Sequence, residues 1–205
     1  MKKDKKEIIL DAAENLMMKS SQKDISVSKI AKEAGVGKGS IYYYFKSKEE
    51  IMYAVIERGY KKSLHEYLKC INENFSAIKK IKTLFICTIR KEFNDNKENL
   101  FRKLHVSDDV ILHNYIKHIA IAEISPVLEK LLLQGIEEDS IHTETPKESA
   151  EMIVAVLSFI LDGTVFNNDV LTYNKLKVFA DVLNTCISVE KGSFDFLFDV
   201  DLLEM

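Results

Sequence analysis

The sequence predicts an all-α fold, and two observations carry that prediction. Apolar residues recur at intervals of three and four along most of the chain, the spacing that stacks side chains on one face of a helix. Only two prolines and seven glycines interrupt 205 residues, so there is little material for turns or linkers. The C-terminal "GSFDFLFDVDLLEM" is a stretch with a period of two, setting Phe194, Phe196, Phe198, Val200 and Leu202 against Asp195, Leu197, Asp199 and Asp201. It predicts an extended arm that packs along the body, reaches a partner subunit or frays as an acidic tail; packing is preferred, since five large apolar groups would otherwise be wet.

From Glu7 to about Lys19, Ile8, Ile9, Ala12, Ala13, Leu16 and Met17 form the stripe of a first amphipathic helix. Ser26 then caps a short second helix, with Ile25 placed to staple onto Ile30 and with Val27, Ile30, Ala31 and Ala34 as its apolar side. Gly35 stops it as a left-handed residue. After Gly35-Val36-Gly37 a third helix has room only from Lys38 to about Phe45, with Ile41 and Phe45 one turn apart and inward. Ser47 caps a fourth helix, Glu50 at its capping-box position, running to near Ile71 with Ile51, Val55, Leu64 and Leu68 inward and a possible interruption at Gly59. Further helices are expected over 77–93, 97–105, 107–135, 146–166 and 173–190.

The formal charge of -3 conceals a split. Residues 1–48 hold eleven lysines against six acids, a net of +5; the 18 basic and 26 acidic residues that follow give -8. Such asymmetry points to a polyanionic partner, because clustered lysines displace counterions from nucleic acid, although a solvated basic face has the same composition. Two short helices around a glycine-containing turn, backed by a supporting helix, make a helix-turn-helix. With Ile41 and Phe45 inward, the opposite face of helix three presents Gly39 and Tyr43, flanked by Ser40 and Tyr42, with Lys38 near the first turn. Glycine allows close backbone approach, tyrosine hydroxyls bind phosphate, serine meets phosphate or a base edge, and lysine adds charge. Packing beside the turn is the alternative for these tyrosines, and Tyr44 lies nearest the core edge.

The run from Ile25 to Ile51, "ISVSKIAKEAGVGKGSIYYYFKSKEEI", resembles the DNA-binding signature of TetR-family transcriptional regulators. It covers about an eighth of the chain. The resemblance implies that Ser26 and Ser28 touch the DNA backbone at the start of helix two. It further implies that Lys38, Gly39, Ser40 and Tyr43 face bases or nearby phosphates, and that Tyr42, Tyr44 and Lys48 hold phosphates. Gly37 departs from the serine or threonine usual at the cap of helix three; the change costs only a few tenths of a kcal/mol but removes a potential contact. The expected layout is a helix-turn-helix DNA-binding domain over 1–48, joined through the fourth helix to a helical effector-binding and dimerisation domain over 49–205.

The middle of the 146–166 helix is apolar all round, from Met152 to Leu161, so its second face is either central in its own core or meets another chain. The 173–190 helix repeats this more mildly, with Val178, Val182 and Cys186 widening the stripe of Leu176, Phe179, Ala180, Leu183 and Ile187. A four-helix dimer interface is expected, using Met152, Ala155, Val156, Phe159, Ile160, Phe179 and Leu183; the family resemblance implies the same dimer. Phe85, Ile89, Phe93, Phe101, Leu104, Tyr115 and Ile119 are candidates for an effector pocket, though all serve equally as core. Arg90, His105, His113, Asn114 and His118 are the polar candidates nearby.

The chain carries no GxSxG, HExxH, P-loop, dinucleotide fingerprint or CxxC, and none of its five histidines stands three or four residues from another. No enzyme activity, cofactor or metal is therefore expected. Cys70, Cys87 and Cys186 read as small, reduced core residues. The N-terminus lacks the apolar core of a signal peptide and "MIVAVLSFIL" is about half a membrane span, which gives a cytoplasmic expectation. The expected function is a dimeric repressor, bound to a pseudo-palindromic double-stranded operator and released by a small, largely apolar ligand. The alternative is a DNA-bound structural or protein-interaction factor with no effector.

Overall fold

The computed structural model describes residues 4–93, 110–162 and 172–198. Eight α-helices lie among the described residues: α1 (Lys5–Lys19), α2 (Val27–Ala34), α3 (Lys38–Tyr44), α4 (Lys48–Cys70), α5 (Ala77–Phe93), α6 (Val110–Glu137), α7 (Pro146–Leu161) and α8 (Tyr173–Ile187). The helix expected over 97–105 falls outside the described residues.

Local chemistry sets the ends of the first four helices. Asp4 accepts from the Lys6 amide to cap α1, Ser26 accepts from the Lys29 amide at 3.3 Å to cap α2, and Ser47 accepts from the Glu50 amide at 3.2 Å to cap α4. Gly35 closes α2 at φ +65°, which lets the Val36 amide donate to the Ala31 carbonyl and the Gly35 amide to Lys32. The carboxylate of Glu50 reaches back to the Lys46 amide, so the three-residue link between α3 and α4 is fastened from both sides. Gly59 does not interrupt α4.

Two apolar cores result. The head core collects Ile9, Ala13, Met17, Ile25, Ile30, Ile41 and Phe45, and it continues past Lys48 through Ile51, Val55 and Ile56 of α4. It also takes Leu112 and Ile116 from α6, so the expected boundary after residue 48 cuts into a core that two long helices share with the body. The body core joins Tyr67, Ile81, Phe85, Leu128, Leu157, Phe179 and Leu183, with α6 and α7 as its most extensive helix pair.

Several expectations need correction. Leu68 is half-exposed, and Tyr67 is the residue of that turn that enters the core. Cys186 is exposed and Cys87 half-buried, so neither is a fully buried core residue. The C-terminal segment is not extended: Asp195–Phe198 forms a 3₁₀ turn that drives Phe194 and Leu197, three residues apart, into the body core. Residues 199–205 lie outside the described residues. Among the described residues the only β-type contact is an isolated antiparallel bridge between Ile141 and Val189. No helix among them is long and apolar enough to cross a membrane.

Candidate nucleic-acid interface and ligand cavity

The seven residues of α3 are held by two anchors, Ile41 at 0% exposure and Phe45 at 3%, both in the head core. Tyr42 and Tyr43, between them, are consequently turned outward. Tyr43 is 81% exposed and Tyr42 57%, while Lys38 and Gly39 are exposed and Ser40 is half-buried. A Cβ added at Gly39 would meet no atom within 4 Å, so a partner can approach the backbone there. Tyr44 is half-buried against the head core, and its ring meets that of Tyr43 in a T-shaped contact at 4.9 Å between centroids, which braces the outer tyrosine. At the turn before α3, Gly37 supplies no side-chain cap.

Ser26 and Ser28 are exposed at the start of α2, the Ser26 oxygen already accepting from Lys29. Lys48 opens α4 half-buried. One nearby lysine is engaged internally: Lys29 Nζ donates to the Asp24 carbonyl at 2.7 Å. The head therefore offers lysine, phenol and bare backbone on one surface, the donor set that binds phosphates and base edges in a major groove.

Arg58 fixes this surface relative to α4. From the middle of α4 it bonds Glu7 and Asp11 at 2.9 Å and Glu14 at 2.6 Å, spanning two turns of α1. Burial opposes its charge, but bonds to Glu7, Glu14 and Asp11 outweigh it and raise its pKa above the ordinary value. A second tie runs from α6: Tyr115 donates to Glu57 at 2.5 Å and stacks on Tyr53 at 3.9 Å. Burial first, then that bond to Glu57, pushes the Tyr115 phenol well above its usual range.

A cavity of about 20 Å³, room for about one water, lies where α4, α5, α6 and α7 meet, lined by Tyr60, Thr88, Ile116, Lys117, Val154 and Ser158 among others. None of the described pocket candidates lines it. Phe85, Ile89 and Ile119 are buried, Phe85 among Phe179 and Phe194 of the body core, and Tyr115 faces α4 instead. Only the backbone of Phe93 is described; Phe101, Leu104 and His105 lie outside the described residues, as does the Arg90 side chain. Asn114 and His118 are exposed.

Sequence reasoning missed a buried polar cluster at this wall. Asp162, 1% exposed at the end of α7, meets Lys117 Nζ at 2.5 Å and His113 Nδ1 at 3.3 Å. His113 and Lys117 are four residues apart on α6, a spacing that was legible; their carboxylate partner, more than forty residues on, was not.

Of the expected interface residues on α7 and α8, Met152 (60%), Phe159 (46%) and Val156 (37%) are exposed, and Ala155 and Ile160 are half-buried. Phe179 and Leu183, at 1% and 0%, are taken up by the chain's own core, because that stripe of α8 packs onto α7. Val178 stands out instead, at 61%.

Comparison with known proteins agrees with this architecture. Residues 9–55 match the family described as bacterial regulatory proteins, tetR family, and residues 91–183 match a tetracyclin repressor-like C-terminal domain. The fatty acid metabolism regulator protein of Bacillus subtilis (strain 168) is 28% identical over 138 residues, 65% of this chain and 69% of that protein. Two further curated regulators are matched over 40% and 33% of their own length. The fold is shared with RolR in complex with resorcinol, at a TM-score of 0.69 and 14% identity over 95% of this chain and 93% of that one. It is shared also with the fatty acid degradation regulator FadR of Bacillus halodurans, at 0.61 and 23% over 97% and 96%. With both the reading head and the helical body matched, this chain belongs to the TetR family of bacterial transcriptional regulators.

Proposed function

We propose that the protein is a dimeric repressor that grips a pseudo-palindromic operator with two α3 helices and lets go when a small, largely apolar ligand enters the body. The observation that carries the DNA half is the outward set of Lys38, Gly39, Tyr42 and Tyr43 on a helix pinned by Ile41 and Phe45. Dimerisation is supported by the exposed Met152, Val156 and Phe159 of α7 beside Val178 of α8. An apolar effector is supported by the aliphatic lining of the cavity and by the relatives, two of which are named for fatty acid metabolism or degradation.

Coupling follows from where the cavity sits. Ile116 lines it and is also part of the head core, and Tyr60 lines it while packing against both cores. A ligand larger than water must part α6 from α4 and α7, and α6 cannot move without dragging Leu112 and Ile116 in the head. Two heads must dock about 34 Å apart or at a multiple of it, so a small tilt defeats simultaneous binding. A hundredfold preference of the ligand for the tilted state supplies about 2.7 kcal/mol per site.

The test is a titration at fixed salt against an operator selected from random duplexes. Tyr42→Ala and Lys48→Ala should weaken binding to all duplexes, whereas Ser40→Ala and Lys38→Ala should also shift the preferred sequence, by about 1–3 kcal/mol at a base they read. Wild-type binding by Tyr42→Ala, Tyr43→Ala and Lys48→Ala together would refute the assignment. The small size of the cavity favours one second reading, a DNA-bound factor with no effector. Reciprocity separates the two: a true effector binds operator-bound protein more weakly by the factor by which it weakens DNA binding.

A further inference from the structure

The wall of the cavity between α4, α5, α6 and α7 has an asymmetric chemistry. Most of it is aliphatic, including Ile116, Ile124, Val154 and Leu157. Of the hydroxyl-bearing residues that line it, Thr88 donates to the Leu84 carbonyl at 2.8 Å and Ser158 to the Ala155 carbonyl at 2.7 Å, so each of these two turns lone pairs rather than a proton toward an occupant. Lys117 is different. Its ammonium, on a side chain 11% exposed, gives one N–H to Asp162 and lies 4.9 Å from the centre of the Phe159 ring. Those are its partners among the described residues, and an ammonium carries three donors. Lys117 therefore brings charged hydrogen-bond donors in excess of those its partners among the described residues take up.

We infer that the cavity, once α6 parts from α4 and α7, takes an amphiphilic monoanion, a single carboxylate on an apolar tail, with Lys117 as the residue that reads the charge. Asp162 pairs with Lys117 and holds it against the wall. Such a buried pair contributes little net stability, since loss of hydration offsets the attraction. An incoming carboxylate takes the N–H groups left over by Asp162, and its tail continues along the aliphatic lining. With Asp162 already paired to Lys117, each further negative charge on a headgroup stands uncompensated at an apolar wall, which disfavours phosphate monoesters and diphosphates more than a single carboxylate. A cationic headgroup meets like charge there, and an alcohol gains a neutral hydrogen bond, roughly half as strong as the charged one.

This inference rests on the ligand-responsive reading for its biological consequence, but its test does not use DNA. The full chain is titrated calorimetrically with decanoate, decan-1-ol and decylammonium, each below its aggregation concentration. Decanoate should bind at least tenfold more tightly than decanol, and decylammonium more weakly than decanol. Lys117→Arg should keep the preference, and the paired change Lys117→Met with Asp162→Asn, which leaves no unmatched buried charge, should reduce the decanoate-to-decanol ratio to about one. Equal binding of decanoate and decanol by the wild type, a preference for decylammonium, no binding of any of the three, or a ratio retained in the folded double variant would each overturn it. The wild-type comparison needs no substitution, so it decides even if the double variant does not fold. Tight decanoate binding that leaves operator affinity unchanged would retain this site and remove ligand release; release by decanol as readily as by decanoate would do the reverse.

Discussion

Arg58 bonds three carboxylates of α1 from a position 24% exposed, while the acids themselves are 40–47% exposed. Three charge-assisted bonds would each be strong in a dry site, but solvent at the carboxylate ends screens them. Arg58→Met should lower stability by about 1–2 kcal/mol, read as a shift of the urea midpoint, and should weaken operator binding further because α1 is no longer fastened to α4. Tyr67 gives a pH signature. Its phenol donates to the Lys80 carbonyl at 3.3 Å, and burial pushes its pKa from an ordinary 10.0 up to about 12. Above pH 10 the unfolded chain loses this proton while the folded chain keeps it, so stability is full below pH 10 and falls as pH rises toward 12. Tyr67→Phe should flatten part of that fall in denaturation series at pH 9 to 12; Tyr115, raised in the same direction, accounts for a further share. Arg58 and Tyr67 look ordinary in the sequence, because their partners are reached only across helices.

Two glycines separate what an element encodes from what its neighbour imposes. Gly35 sits at φ +65° with open space around it, so Gly35→Ala carries only the backbone penalty, about 1–2 kcal/mol, with Gly35→Asn milder. Gly135 lies inside α6, where alanine would favour the helix by up to about 1 kcal/mol. A Cβ there, however, would overlap the Ile141 side chain close to its own backbone, 2.6 Å from Cγ1. Gly135→Ala should therefore destabilise by about 1–3 kcal/mol, seen as a lower thermal midpoint, and a gain in stability would refute the close packing of α6 on Ile141. The role of Gly35 was legible from its place after an amphipathic stripe. That of Gly135 was not, since Ile141 folds back beyond the helix end to meet it. The tail teaches the same lesson: alternation suggested an extended arm, yet the core accepts Phe194 and Leu197 at a spacing of three.

At the scale of the whole molecule the open question was which apolar faces remain after the chain has packed on itself. Val156 and Val178 are exposed, so Val156→Glu with Val178→Glu should leave each chain folded by circular dichroism while converting a dimer to a monomer in sedimentation at micromolar concentration. The monomer should bind a single half-site and lose most of its operator affinity. A wild-type monomer at that concentration would remove the dimer face altogether.

The sequence by itself determined the all-helical class, the caps at Ser26 and Ser47, the stop at Gly35 and the outward tyrosines of α3, because each is encoded by torsional preference or by spacing within a few residues. Tertiary structure alone decided that Phe179 and Leu183 are core while Val178 is free, that α6 enters the head, and that Lys117, His113 and Asp162 meet beside a cavity. An apolar stripe states that a face must be covered; what covers it depends on how the helices cross, which no local run of residues specifies.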